Sequence, residues 1–227
     1  MEITGIRRHP RRDRVRIYVD DEDEPRVELA LDLLVREGLA AGDVLSEGRI
    51  RDLEREDGVY RAREAALSLL AHRARSRAEL RRRLLAKEHA APVVEQVLRW
   101  LDERGYVDDR AFATAFVRDR LRLRPRGRMA LLNELRRKGI DDGTGEAALD
   151  AAFVEEGVDD AALAQAAADA WARKNASTLR RARRSAEDHR RARRRLYGHL
   201  ARRGFAPDAV RGAIERVLPI DRPPGSL

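Results

Sequence analysis

The segment Arg104-Gly105-Tyr106-Val107-Asp108-Asp109, continued by Arg110-Ala111-Phe112-Ala113-Thr114-Ala115-Phe116-Val117, admits few conformations. Gly105 is placed to end one helix, because glycine enters the left-handed region without a Cβ penalty. Tyr106 and Val107 supply the apolar contact that folds back on such an ending. Asp108 or Asp109 can cap the next helix, whose free N–H groups favour a short acceptor and a negative charge. Phe112, Ala113, Phe116 and Val117 fall at i, i+1, i+4 and i+5 and share one helical face. Four of the ten aromatic residues, Trp100, Tyr106, Phe112 and Phe116, lie within seventeen positions. The segment therefore reads as a helix–helix joint at the densest part of the apolar core.

A weaker copy, Gly157-Val158-Asp159-Asp160, follows 51 residues later. Recurrence at a fixed period is the mark of a repeat architecture. Three helix stripes align: Leu80/Leu84, Leu131/Leu135 and Leu196/Leu200, at offsets of 51 and then 65. Lys87-Glu88-His89, Lys138-Gly139-Ile140 and Arg203-Gly204-Phe205 end the same helix in each copy. The third copy thus holds fourteen extra residues, which fall in a basic stretch. A Ser-x-x-Asp pattern at Ser185–Asp188 predicts that they lengthen its second helix at the N-terminal end.

The predicted fold is mainly α: three tandem three-helix repeats in an elongated array, with a small N-terminal β element. Its parts are residues 1–58 (β-hairpin and short helices), 59–109, 110–159, 160–219 with the basic insertion 173–195, and a tail 220–227. In the first part Ile3 and Ile6 suit one strand, and Val15, Ile17 and Val19 alternate with polar neighbours on another. Residues 42–58 read as a separate short helix around Ile50 and Leu53. In the first repeat, Ser76-Arg77-Ala78-Glu79 is a capping-box pattern, and Val94, Val97, Leu98 and Leu101 form a helical stripe after Pro92. In the second, a loop is predicted at Asp141–Gly145.

The chain has no cysteine, which removes disulfides and thiolate ligands and suits the cytoplasm. No apolar run is long enough to span a membrane, and no signal peptide is visible. There is no phosphate-binding glycine loop, and the five histidines lack metal-ligand spacing. No catalytic residue, metal or cofactor is predicted.

The net charge of +8 favours a polyanionic partner. Only three of the 48 basic residues are lysine, a skew that genomic base composition also produces. The charge is local: Arg173–Arg195 holds eleven basic residues and two acids, a net +9. The candidate contacts are Arg81, Arg82, Arg83 and Lys87 on the second helix of the first repeat. In the second repeat they are Arg124, Arg126 and Arg128 in a Pro-Gly loop, and Arg136, Arg137 and Lys138 at a helix end. In the third they are Arg180, Arg181, Arg183, Arg184, Arg193, Arg194, Arg195, Arg202 and Arg203. A solvated arm and ordinary solvated helix faces are the competing readings. Basic second helices in three-helix units also suit a stand-alone DNA-binding protein of helix-turn-helix type.

The joint Arg104–Val117, the pattern Ser76-Arg77-Ala78-Glu79-Leu80 through Leu84-Leu85, and the endings Arg137–Ile140 and Arg203–Phe205 together resemble the RecX family, regulators of the recombinase RecA. The resemblance covers roughly 60–218. It implies a cytoplasmic, helical, three-repeat protein that lies in the groove of the RecA–DNA filament and inhibits its ATPase and strand exchange, or promotes its disassembly. A monomer touching both recombinase and DNA is the expected partner arrangement. The basic insertion and the acidic turn Asp20–Glu24, which has no glycine, depart from the family pattern.

Overall fold

The computed structural model describes residues 1–123 and 125–220. Arg124 and Asp221–Leu227 lie outside the described residues, and with them one candidate contact and most of the predicted tail. Two compact units are present, Met1–Val107 and a second that starts at Asp108.

The first unit opens with an antiparallel sheet of β1 (Ile3–Arg8), β2 (Arg14–Val19) and β3 (Val27–Ala30), in that order. Val15, Ile17 and Val19 alternate inward and are buried, as the period of two requires. Asp20 and Asp21 take φ of 49° and 58° in the turn after β2. Aspartate tolerates this region better than most residues, which accounts for a turn without glycine. Helix α1 (Leu31–Glu37) ends at Gly38, φ 64°.

The separate helix predicted over 42–58 is the front half of α2 (Glu47–His72), which runs unbroken into the first repeat. The 58/59 division therefore falls inside a helix. At 100° per residue, Ile50, Leu53 and Asp57 lie on a face roughly opposite to that of Ala62 and Ala66. The first face packs on the sheet and the second on the repeat. A stripe that changes sides reads, by periodicity, as two helices. Gly58 in the middle costs a helix only about 1 kcal/mol. Asp57, 2% exposed, fastens this junction. Its carboxylate accepts from the Ala30 N–H at 2.8 Å and from Arg14 at 2.9 and 3.1 Å.

The first repeat is completed by α3 (Arg77–Leu85) and α4 (Ala91–Glu103). The second repeat comprises α5 (Asp109–Leu123), α6 (Arg128–Arg137) and α7 (Asp142–Glu155). The loop predicted at Asp141–Gly145 is already helical: the Asp141 carboxylate caps α7 through the Thr144 N–H at 2.9 Å. Within α7, Leu132 packs against Gly145, 2.8 Å from where a Cβ would stand, which favours a glycine there. The third repeat comprises α8 (Asp160–Lys174), α9 (Ala176–Ala182), α10 (Ala186–Arg202) and α11 (Pro207–Val217). Ser185 caps α10, so the insertion does lengthen the second helix there, and it adds the short α9 before it.

Each repeat encloses its own core. All six aligned leucines are fully buried, and Leu163 packs on the cores of both the second and the third repeat. The repeat ends also match. His89 donates to Leu84 O and Ile140 to Leu135 O, while Tyr106 and Val158 close the third helices on Leu101 O and Phe153 O. The residues that turn left-handed at these ends are Glu88, Gly139, Gly105 and Gly157. Of the two aspartates offered as a cap for α5, Asp108 serves, and Asp159 caps α8 in the same way.

The joint is not the deepest part of the core. Val107, Ala113 and Val117 are buried, but Phe112 and Phe116 are only half-buried and Tyr106 is 54% exposed. Two phenylalanines four residues apart flank the buried Ala113/Val117 line rather than lie along it. Their rings stack at 6.3 Å along the edge of the repeat.

Candidate partner and nucleic-acid interface

The arginines of this chain divide by whether the fold supplies them with a carboxylate. On α3, Arg81 pairs with Glu95 at 2.6 Å and Arg83 with Glu79 at 3.3 Å. Arg82 and Lys87 are exposed and meet no carboxylate among the described residues. In the second repeat Arg126 pairs with Glu134 (2.9 Å), Arg128 with Asp150 (2.6 Å) and Arg136 with Asp142 (2.5 Å). Arg118, Arg120 and Arg122 are likewise paired, with Glu155, Glu134 and Glu156. Of the loop candidates, Arg126 and Arg128 are therefore neutralised. An exposed sequence position does not reveal an acid that lies distant in sequence and adjacent in space. Arg137 reaches only the Asn133 carbonyl, at 3.2 Å, and the Lys138 ammonium lies 5.1 Å from the Phe116 ring centre.

The third repeat differs. Arg180, Arg181, Arg183, Arg184, Arg194, Arg195 and Arg202 are all exposed and have no carboxylate within ion-pair distance among the described residues. Arg193 is the exception, bound to Glu215 at 3.1 Å and to the Leu218 carbonyl. Arg203 reaches only the Pro125 carbonyl, at 3.3 Å. Ala182 of α9 is buried, so that helix is seated on the repeat core while the arginines around it stay in water. His199 registers the resulting field. Burial, then Arg203, Arg202 and Lys174, hold its pKa below the usual imidazole value, leaving it neutral at pH 7.

Sequence alone did not indicate the groove beside this surface, between α6 and the α10–α11 turn. It has a volume of about 380 Å³. Ala130, Phe205, Pro207 and Val210 line it together with Arg126, Arg137 and Arg202, and the exposed Met129 and Tyr197 stand at its edge. Tyr197 also borders a neighbouring depression with Arg193, Arg194 and Arg211. What builds the groove is the contact of the second repeat with the third. Gly127 N–H donates to Arg203 O at 2.9 Å and Met129 N–H to Gly204 O at 3.1 Å. The Asp160 carboxylate accepts from Arg128 N–H at 2.9 Å and Ala206 N–H at 2.6 Å, joining both sides. Chemically the arrangement offers the guanidiniums of Arg137 and Arg202 for phosphates or carboxylates, with apolar surface between them.

Among the described residues no group of His, Asp and Glu is placed to hold a metal ion, and no helix is long and apolar enough to cross a membrane.

Comparison with known proteins gives a consistent result. Residues 62–101 match the family model described as RecX, first three-helix domain, and residues 108–149 that of RecX, second three-helix domain. A regulatory protein RecX of Geobacillus thermodenitrificans is 33% identical over 149 residues, 66% of this chain and 55% of that protein. The Bacillus subtilis counterpart is 33% identical over 144 residues, 63% and 54% of the two chains. The chain thus spans about half the length of the curated relatives it matches. A crystal structure of regulatory protein RecX superposes with a TM-score of 0.70 at 24% identity, over 94% of this chain and 98% of the other. That of RecX from Lactobacillus salivarius gives 0.57 at 21%, over 71% and 97%. These two likenesses establish the fold.

Proposed function

We propose that the chain belongs to the RecX family, a reading supported by its matches to the first and second three-helix domains of that family, and that it binds the RecA recombinase–DNA filament and restrains it, lowering ATPase and strand-exchange activity. The observation that carries the reading is the run of exposed, carboxylate-free arginines on α9 and α10. Held on a folded repeat, they form a preorganised surface for a polyanion. Within the second unit the second and third repeats are in contact, so Arg137 beside the groove and the α9–α10 arginines act together, and individually weak contacts then add through effective concentration. A body fixed to more than one filament subunit resists any change in their spacing, which is why we expect restraint rather than stimulation.

On this reading the protein is a binding protein without catalytic residues or cofactor, and its matched relatives are named as regulators. It acts as a monomer in the cytoplasm, where a chain without cysteine is at no redox disadvantage.

A second reading has the same arginines in a stand-alone DNA-binding protein, favoured by the fact that phosphates alone would satisfy them. The DNA-dependent ATPase of the cognate recombinase separates the two. Substoichiometric amounts of this protein should depress it. If ATPase is unchanged at concentrations that saturate bare DNA, the second reading stands.

A further inference from the structure

Arg63, Trp100, Arg104 and Tyr106 form a cluster in the first unit that neither the repeat core nor the basic third repeat explains. Trp100 on α4 and Tyr106, just beyond it, stack with ring centroids 5.7 Å apart and planes inclined by 23°. The tryptophan packs against the core of the first repeat, whereas Tyr106 is 54% exposed. Two guanidiniums lie over the same indole, Arg63 at 4.3 Å and Arg104 at 4.6 Å from its centroid.

Arg63 is half-buried, and its Nε is buried with no hydrogen-bond partner. Burial, then the charges of Arg104 and Arg36, disfavour its protonated form. Neither Arg63 nor Arg104 has a carboxylate within ion-pair distance among the described residues. Other partly buried arginines of this unit are treated differently: Arg14 meets Glu28 and Asp57, Arg75 meets Glu79, and Arg77 meets Glu95 and Asp102. Desolvating a guanidinium without an anion is unfavourable unless something else supplies the anion.

We infer that Tyr106, Trp100, Arg63 and Arg104 form a binding site for single-stranded nucleic acid, in which a base stacks on the exposed Tyr106 ring and the adjoining phosphates engage the two arginines. Aromatic platforms flanked by cations are the general means of holding unpaired bases. A protein carboxylate would satisfy the arginines but makes no use of the tiered rings. A duplex keeps its base faces stacked internally and cannot present one. The site does not depend on the recombinase reading, since all four residues act on the strand itself.

The two tryptophans of the chain are Trp100 and Trp171, so Trp171→Phe leaves Trp100 as the sole indole reporter. In that background, titration with a 20-nucleotide oligothymidine should quench Trp100 emission saturably, in step with anisotropy of a labelled strand. Tyr106→Ala should weaken binding roughly 5- to 150-fold, while Tyr106→Phe, which keeps the ring, should retain it. Arg63→Gln should lower the log–log salt slope by about 0.7. Melting curves of the two Tyr106 variants should match the parent, since that ring is exposed. The inference is overturned if no strand binds, if the strand binds without altering Trp100 emission, or if Tyr106→Ala binds like the parent. Should Arg63→Gln and Tyr106→Ala spare the strand but weaken association with a recombinase, the cluster serves a protein partner and the inference fails equally.

Discussion

Gly127 and Gly204 meet backbone to backbone: a Cβ on Gly127 would stand 2.2 Å from the Gly204 carbonyl oxygen. From the other side, a Cβ on Gly204 would stand 2.4 Å from the Ala130 nitrogen. The obstructing atoms are backbone, so no rotamer change relieves the overlap. Gly204 also holds φ at 75°. It therefore serves two purposes, ending α10 and admitting the second repeat against the third.

Gly204→Ala should accordingly destabilise the second unit by roughly 2–5 kcal/mol, combining the left-handed penalty with overpacking. Gly105→Ala is the control. Its φ is 68°, but a Cβ there meets nothing within 4 Å, so only the left-handed penalty of roughly 1–2 kcal/mol applies. Urea unfolding of both variants tests the difference, and equal midpoints would show that the glycine crossing contributes nothing.

Glu88 stands where the second and third repeats have Gly139 and Gly204, and it carries the same left-handed backbone, φ 64° against 80° and 75°. It is exposed and has no ion pair among the described residues. Glu88→Gly removes the strain at the cost of some chain entropy, and should stabilise the first unit by about 1 kcal/mol. A variant less stable than the parent in chemical denaturation would contradict this account of the helix end.

These positions show what was legible in sequence. The repeat, its aligned leucines and its glycine endings were, because burial and left-handed turns each demand particular residue types at a fixed spacing. The continuity of α2 was not, since its apolar stripe changes faces between Leu53 and Ala62. The half-exposure of Phe112 and Phe116 was hidden because composition records an aromatic but not that the repeat's own core centres on the Ala113/Val117 line beside them. The neutralised state of Arg81, Arg126, Arg128 and Arg136 was hidden too. Their acids, Glu95, Glu134, Asp150 and Asp142, come from other turns and other helices. The surplus of charge in the third repeat was legible for the converse reason: Glu187 and Asp188 are the only acids from Arg173 to Arg195.

Glu79 links the stability of the first repeat to pH. It is 7% exposed, beside the buried Arg75. Burial raises its pKa, but hydrogen bonds and charges from Arg73, Arg75 and Arg83 prevail and bring it to about 2. A carboxylate with a depressed folded pKa contributes stability that is complete above its unfolded value, 4.5, and is lost as pH falls toward 2. The contribution is at most about 3 kcal/mol. Glu79→Gln should flatten the acid limb of the stability profile below pH 5. At pH 7 it should also cost roughly 3–5 kcal/mol, because Arg75 is left buried without its anion. An acid limb identical to the parent's would remove Glu79 from this role.

The arginines at the end of α9 and just beyond it give the sharpest test of function. If Arg180, Arg181, Arg183 and Arg184 contact phosphates, affinity for the recombinase–DNA filament should fall with salt at a log–log slope of roughly −0.7 to −0.9 per contact. Changing all four to alanine should flatten the slope by roughly three. The melting temperature should barely move, since these side chains are exposed and unpaired, and surface charges contribute little to stability. An acidic groove on the recombinase would also give salt dependence, so bare single-stranded DNA is run in parallel. A loss confined to the filament supports the regulator; an equal loss on bare DNA supports the stand-alone binder. If the quadruple variant binds both targets normally at every salt concentration, α9 is a solvated arm. The contact surface then lies along the groove and the depression beside it, on Arg137, Arg202 and Arg194, where the same substitution and salt series applies.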